Sequence, residues 1–132
     1  MRVLIVDSNT VYAKQVSEVL SGILADVVVD LARDAFITRR RLQTNKYDLV
    51  IVDVSTVVCQ DLLMEELKKH DIPTIAWTVL NAEKGLTDLI RQLGAKLIPK
   101  GTVKALPEIL PEAVASATGT RVMSATRTDE DM

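Results

Sequence analysis

The chain has 132 residues, 48% of them apolar and 26% charged, with a net charge of −2 and a pI near 5.4. Those values fit one globular domain with a single core and exclude a disordered chain. The mild acidity argues against nucleic acid as a partner of the chain as a whole. No stretch is long and apolar enough for a membrane span or a signal-peptide core. The single cysteine, Cys59, rules out an internal disulfide and suits a reducing cytoplasm.

Val3 to Val6 is a short apolar run that ends in Asp7. Ser8, Asn9 and Thr10 follow, all able to cap a helix by accepting backbone N–H bonds. Val11, Val16, Val19, Leu20, Ile23 and Leu24 then recur at helical spacing. Val27 to Val29 predicts a second strand. Asp34 stands where it would cap a helix through Leu42, with Arg39, Arg40 and Arg41 near the far end, where cations favour the helix dipole. That arginine run reads as a solvated helix face, with docking of an acidic partner as the less favoured reading. Leu49 to Val52 is nearly free of polar alternation, as in a strand buried on both faces of a parallel sheet, and it ends in Asp53.

Residues 55–60 read as a loop and 61–70 as a helix with Leu62, Leu63 and Leu67 inward. Pro73 to Thr78 is a fourth strand, with Trp77 expected in the core beside the strand end. A helix over roughly 83–93 stops at Gly94, the common left-handed helix end. Lys96 to Pro99 is a fifth strand, and it delivers Lys100. The last helix spans about 103–116, where Pro107 and Pro111 are first-turn prolines or kinks. Beyond Ala117 apolar content falls, so 1–117 reads as the domain and 118–132 as a flexible tail or linker.

Strands alternating with helices predict an α/β fold, a doubly wound five-stranded parallel sheet with helices on both faces. Asp7, Asp53, Thr78 and Lys100 each follow or end an apolar run, so all four gather at the carboxyl edge, where such folds keep their sites. Two carboxylates could share a hard cation such as Mg²⁺. A hydroxyl and an ammonium opposite them could hold phosphoryl oxygens. Asp53 could itself be a nucleophile, because carboxylates form aspartyl-phosphates. Each residue alone has a structural alternative, such as a strand-end Asp capping a loop.

Across about residues 1–117 the sequence resembles the CheY-like receiver domain of bacterial two-component response regulators. The match rests on Val3-Leu4-Ile5-Val6-Asp7, Asp48-Leu49-Val50-Ile51-Val52-Asp53, Thr78, and Leu93-Gly94-Ala95 followed by Lys100. The resemblance implies a flavodoxin-like sheet of strand order 2-1-3-4-5. It implies that Asp53 accepts a phosphoryl group from a histidine kinase or phosphotransfer protein. By the same resemblance Asp7 and Asp53 hold Mg²⁺, while Thr78 and Lys100 contact the phosphoryl group. The resemblance also implies output to a partner protein on the face around Leu97 and the last helix. Whether that face also pairs two copies as a homodimer stays open. The implied protein is a cytoplasmic phosphoacceptor that signals by protein contact, without turnover catalysis, membrane insertion or direct nucleic-acid binding.

Several positions depart from the receiver pattern. Ser8 stands for the usual second acid, which lowers the charge of the metal pocket and predicts weak Mg²⁺ binding. Val57 and Asp61 stand near the usual Pro and Gly, and Val79 with Leu80 crowds the approach to Thr78. Leu97 replaces the aromatic switch, and Lys100-Gly101 replaces Lys-Pro. Two readings follow: an atypical receiver phosphorylated on Asp53, or a phosphorylation-independent pseudo-receiver acting as a protein-interaction module. The first is favoured, because Lys100 and Thr78 have little structural use at a dead site. A nucleophilic Cys59 lacks a nearby base, as His70 is expected at the far end of the next helix. A phosphatase of the haloacid dehalogenase type would need an acid where Ser55 stands.

Overall fold

The apolar runs of the sequence pair into one parallel sheet in the computed structural model, which describes residues 1–54, 60–78, 88, 90, 91 and 94–119. In chain order the elements are β1 (Arg2–Val6), α1 (Thr10–Ile23), β2 (Val28–Ala32), α2 (Ala35–Thr44) and β3 (Leu49–Asp53). They continue with α3 (Gln60–His70), β4 (Thr74–Thr78), β5 (Lys96–Pro99), a 3-10 turn (Val103–Ala105) and the last helix (Leu106–Thr118). The strand order is β2-β1-β3-β4-β5, as the resemblance implies. All four ladders are parallel.

Alternation along the strands builds two cores. Val3, Ile5, Leu49, Ile51, Ile75 and Trp77 pack with α1 and the last helix on one face. Leu4, Val6, Val50, Val52 and Ala76 pack with α2 and α3 on the other. With both faces covered, each central strand must be apolar at every position, which is why these runs lack alternation.

Both expected helix starts form. Asn9 Oδ1 accepts a 3.1 Å bond from the Tyr12 N–H, and Asp34 Oδ1 a 2.8 Å bond from the Ile37 N–H. Gly94 takes φ 76°, the left-handed conformation expected at a helix end. In the last helix Pro107 lies in the first turn and Pro111 inside the helix. Most of the helix expected over 83–93, the loop at 55–59 and the segment from 120 onward lie outside the described residues. Among the described residues, no helix is long and apolar enough to cross a membrane.

β2 runs three residues past the expected Val27 to Val29, because Asp30 is neutralised inside it. Its Oδ2 accepts bonds from Arg2 Nε (3.1 Å), Arg2 Nη2 (3.0 Å) and the Tyr47 hydroxyl (2.6 Å). The Tyr47 bond, aided by Arg2, holds the Asp30 carboxyl below its ordinary value despite burial. Burial, then the bond to Asp30, pushes the Tyr47 hydroxyl up to about 12. Asp30 therefore stabilises the fold above the ordinary value of 3.8, and that contribution is lost as pH falls through its lower folded value. Tyr47 contributes below 10.0, and its share is lost as pH rises towards about 12. Tyr47→Phe should cost about 1.5–3 kcal/mol in urea unfolding at neutral pH. The gap to wild type should narrow at both pH extremes; a gap constant with pH would refute this account of Asp30.

Candidate functional site

The sheet register sets the site. Val6 pairs with Val52, Asp53 with Trp77 and Thr78 with Pro99, so Asp7, Asp53, Thr78 and Lys100 reach one carboxyl edge. Backbone bonds extend the ladder past the strand ends: the Asp7 N–H donates to the Ala32 carbonyl (2.9 Å) and the Val54 N–H to the Trp77 carbonyl (3.1 Å). The carboxylates therefore sit on anchored backbone.

Lys100 joins the two acids. Its Nζ donates a 2.8 Å bond to Asp7 Oδ2 and a shorter one to Asp53 Oδ2. The Lys100 side chain is 6% exposed, that of Asp7 1% and that of Asp53 0%. Three charges are thus withdrawn from water, a cost that the shared ammonium offsets by pairing with both carboxylates. Asp7 Oδ1 also accepts a 2.8 Å bond from the Asn9 N–H, which ties the carboxylate to the start of α1.

Tyr12 completes the enclosure. Its ring centroid lies 4.1 Å from Lys100 Nζ, and its hydroxyl donates a 2.6 Å bond to the Gly101 carbonyl. At so dry a place a cation–ring contact contributes roughly 2 kcal/mol. Burial, then the charges of Asp7 and Asp53, pushes the Tyr12 hydroxyl up to about 12, so it stays a neutral donor at physiological pH. Trp77, 1% exposed, meets the Tyr12 ring edge-on with centroids 5.8 Å apart. Tyr12 is absent from the sequence reading because a ring in the first turn of an amphipathic helix looks like core. Its only signal is a position five residues beyond Asp7.

Of the expected site residues, Asp7, Asp53 and Lys100 are in direct contact. Thr78 closes β4 on the same edge, and its side chain lies outside the described residues, as do Val57, Val79, Leu80 and Cys59. Ser8 is exposed. Leu97 is partly buried against the core formed with α2 and α3. At Gly101 a Cβ would stand 2.6 Å from Ile109 Cδ1, so a proline there would need Ile109 to move. Elsewhere, His70 at the end of α3 faces the buried Glu66 at 3.7 Å, and Arg39 reaches Glu66 at 3.4 Å. The expected arginine face is thus partly an α2–α3 tie.

The donors suit a hard cation: Asp7 and Asp53 offer carboxylate oxygens close enough for one ammonium to bond both. Among the described residues, no group of three or more acids, histidines or cysteines could hold a metal ion. With Lys100 already supplying one positive charge, a divalent cation meets a weaker field than in a pocket of three acids.

The overall geometry has clear counterparts among solved structures. A receiver domain protein (CheY-like) from Methanospirillum hungatei JF-1 superposes with a TM-score of 0.69 at 20% identity, covering 88% of this chain and 94% of that one. A two-component response regulator from Clostridium difficile gives 0.72 at 19% identity, covering 89% and 94%. The fold is that of a CheY-like receiver domain. The response regulator Rcp1 in its Mn²⁺-bound form also matches, with a TM-score of 0.72 at 17% identity over 90% and 95% of the two chains. No protein-family model and no curated protein matches the sequence. At these identities the receiver likeness speaks for the fold.

Proposed function

We propose that the chain is an atypical response-regulator receiver that accepts a phosphoryl group on Asp53. The observation that carries this reading is the buried bridge from Lys100 to Asp7 and Asp53 at the carboxyl edge of a receiver fold. A buried lysine spanning two acids has no packing purpose that a leucine would not serve better. It has a purpose if one carboxylate must at times carry a phosphoryl dianion.

In this reading a carboxylate oxygen of Asp53 attacks the phosphorus of a phosphohistidine on a histidine kinase or phosphotransfer protein. The P–N bond breaks, the P–O bond forms, and the leaving imidazole takes its proton from solvent. Lys100 turns from Asp53 to the phosphoryl oxygens while Asp7 keeps it within reach. Thr78, from the end of β4, donates to the same oxygens. Mg²⁺ held by Asp7 and Asp53 would supply further charge neutralisation, weakly because Ser8 contributes no acid. The new charge biases the conformation presented to an output partner on the face around Leu97 and the last helix. Neither turnover catalysis nor direct nucleic-acid binding is part of this role.

A second reading has one observation in its favour. Lys100 already offsets one of the two buried carboxylate charges, so part of the neutralisation is supplied by the chain itself, as a phosphorylation-independent pseudo-receiver requires. Trp77 fluorescence separates the two. Saturable change on adding Mg²⁺, and a further change with beryllofluoride that Asp53→Asn lacks, is expected of the receiver. A flat response to both supports the interaction module.

A further inference from the structure

Lys100 also meets a residue with no role in the reading above. The Tyr12 ring stands 4.1 Å from its Nζ, and the Tyr12 hydroxyl bonds the carbonyl of the next residue, Gly101, at 2.6 Å. One side chain thus meets the lysine's charged end and holds the backbone of the residue that follows it. Tyr12 is itself tied to the site. Its N–H bonds Asn9 Oδ1, and the Asn9 N–H bonds the Asp7 carboxylate that Lys100 also bonds. The ring cannot easily turn away, because Trp77 stands edge-on to it at an interplanar angle of 85°.

Core filling alone would not require this residue. Leucine would fill space without facing a cation, and phenylalanine would face it without holding Gly101. The ammonium of a lysine side chain only 6% exposed is drawn to the negative face of a ring as well as to the carboxylates. A buried tyrosine hydroxyl in turn needs an acceptor, and the Gly101 carbonyl provides it.

We propose that Tyr12 is the positioning residue for Lys100: ring and hydroxyl together hold the ammonium on Asp7 and Asp53 and set how it meets an incoming oxyanion. The identity of that oxyanion as a phosphoryl group rests on the receiver reading. The hold on Lys100 does not.

The test uses the full chain with Tyr12→Phe and Tyr12→Leu. The first readout is the Lys100 Hε and Cε resonances by NMR, assigned with Lys100→Arg. Ring shielding should displace them upfield in wild type and Tyr12→Phe and vanish in Tyr12→Leu. The second readout is beryllofluoride affinity in Mg²⁺, followed by ¹⁹F NMR. Tyr12→Phe, which keeps the ring and loses the hold on Gly101, should bind more weakly than wild type, and Tyr12→Leu should bind more weakly still, about tenfold below wild type. Urea unfolding confirms that each variant is folded, and Tyr12→Phe keeps the test informative if Tyr12→Leu is not. Unshielded Lys100 resonances in wild type, or wild-type affinity in folded Tyr12→Leu, would overturn the proposal. Should wild type bind no beryllofluoride, the receiver reading falls, and the Lys100 resonances still decide the role of Tyr12.

Discussion

Lys100→Met should destabilise the chain by about 3–5 kcal/mol at neutral pH, the usual cost of stripping the partner from buried charges. Methionine keeps the length and apolar stem of the lysine, so the loss reports charge rather than volume. Asp7 and Asp53, 1% and 0% exposed, would be left side by side without their shared ammonium. Two further results follow from that cause. Mg²⁺ should raise the melting temperature of Lys100→Met more than that of wild type, because the cation meets both carboxylates uncontested. Adding Asp53→Asn to Lys100→Met should recover part of the loss, since one buried charge then replaces two, and a double-mutant cycle would give the coupling. Urea unfolding of the four proteins reads the stabilities and thermal melting with and without Mg²⁺ the rest; a Lys100→Met chain as stable as wild type would contradict the buried bridge.

Asp53→Asn alone should have the opposite profile: little change in stability and complete loss of phosphoryl chemistry. Lys100 keeps Asp7, so no charge is orphaned, and an amide of the same shape fills the Asp53 position. Stability should stay within about 1 kcal/mol of wild type. The amide cannot act as the nucleophile, so uptake from acetyl phosphate and the fluorescence response to beryllofluoride should both disappear. If Asp53→Asn responded to beryllofluoride as wild type does, the anion would be binding elsewhere and Asp53 would have no claim to the role.

Much of the fold was legible because a doubly covered parallel sheet writes itself plainly. Val3 to Val6 and Leu49 to Val52 serve two cores at once and so admit no polar residue. Capping was legible for a similar reason: Asn9 and Asp34 are short polar side chains just before periodic apolar positions. β2 was read short because Asp30 looks like a strand end, and nothing local reveals that Arg2 and Tyr47 will neutralise it from β1 and from just before β3. Such cross-strand partners depend on register, which a single sequence does not state.

The site was half legible by the same logic. Asp7, Asp53 and Lys100 could be placed on one edge because strand ends in a parallel sheet share an edge. Their direct bonding was not readable, since it depends on side-chain reach across β3 and β4. Tyr12 was invisible for a deeper reason. Its partners Lys100, Gly101 and Trp77 all lie at least 65 residues away in the chain. Only the packing of α1 against the sheet brings them together.

The central claim is that Asp53 carries a phosphoryl group, and intact-mass measurement after incubation with acetyl phosphate and Mg²⁺ tests it most directly. The account predicts a wild-type mass increased by a single phosphoryl group, reversed by hydroxylamine as an acyl phosphate should be, and absent from Asp53→Asn. A wild-type mass unchanged throughout the incubation, in a protein whose Trp77 emission also ignores Mg²⁺, would contradict it.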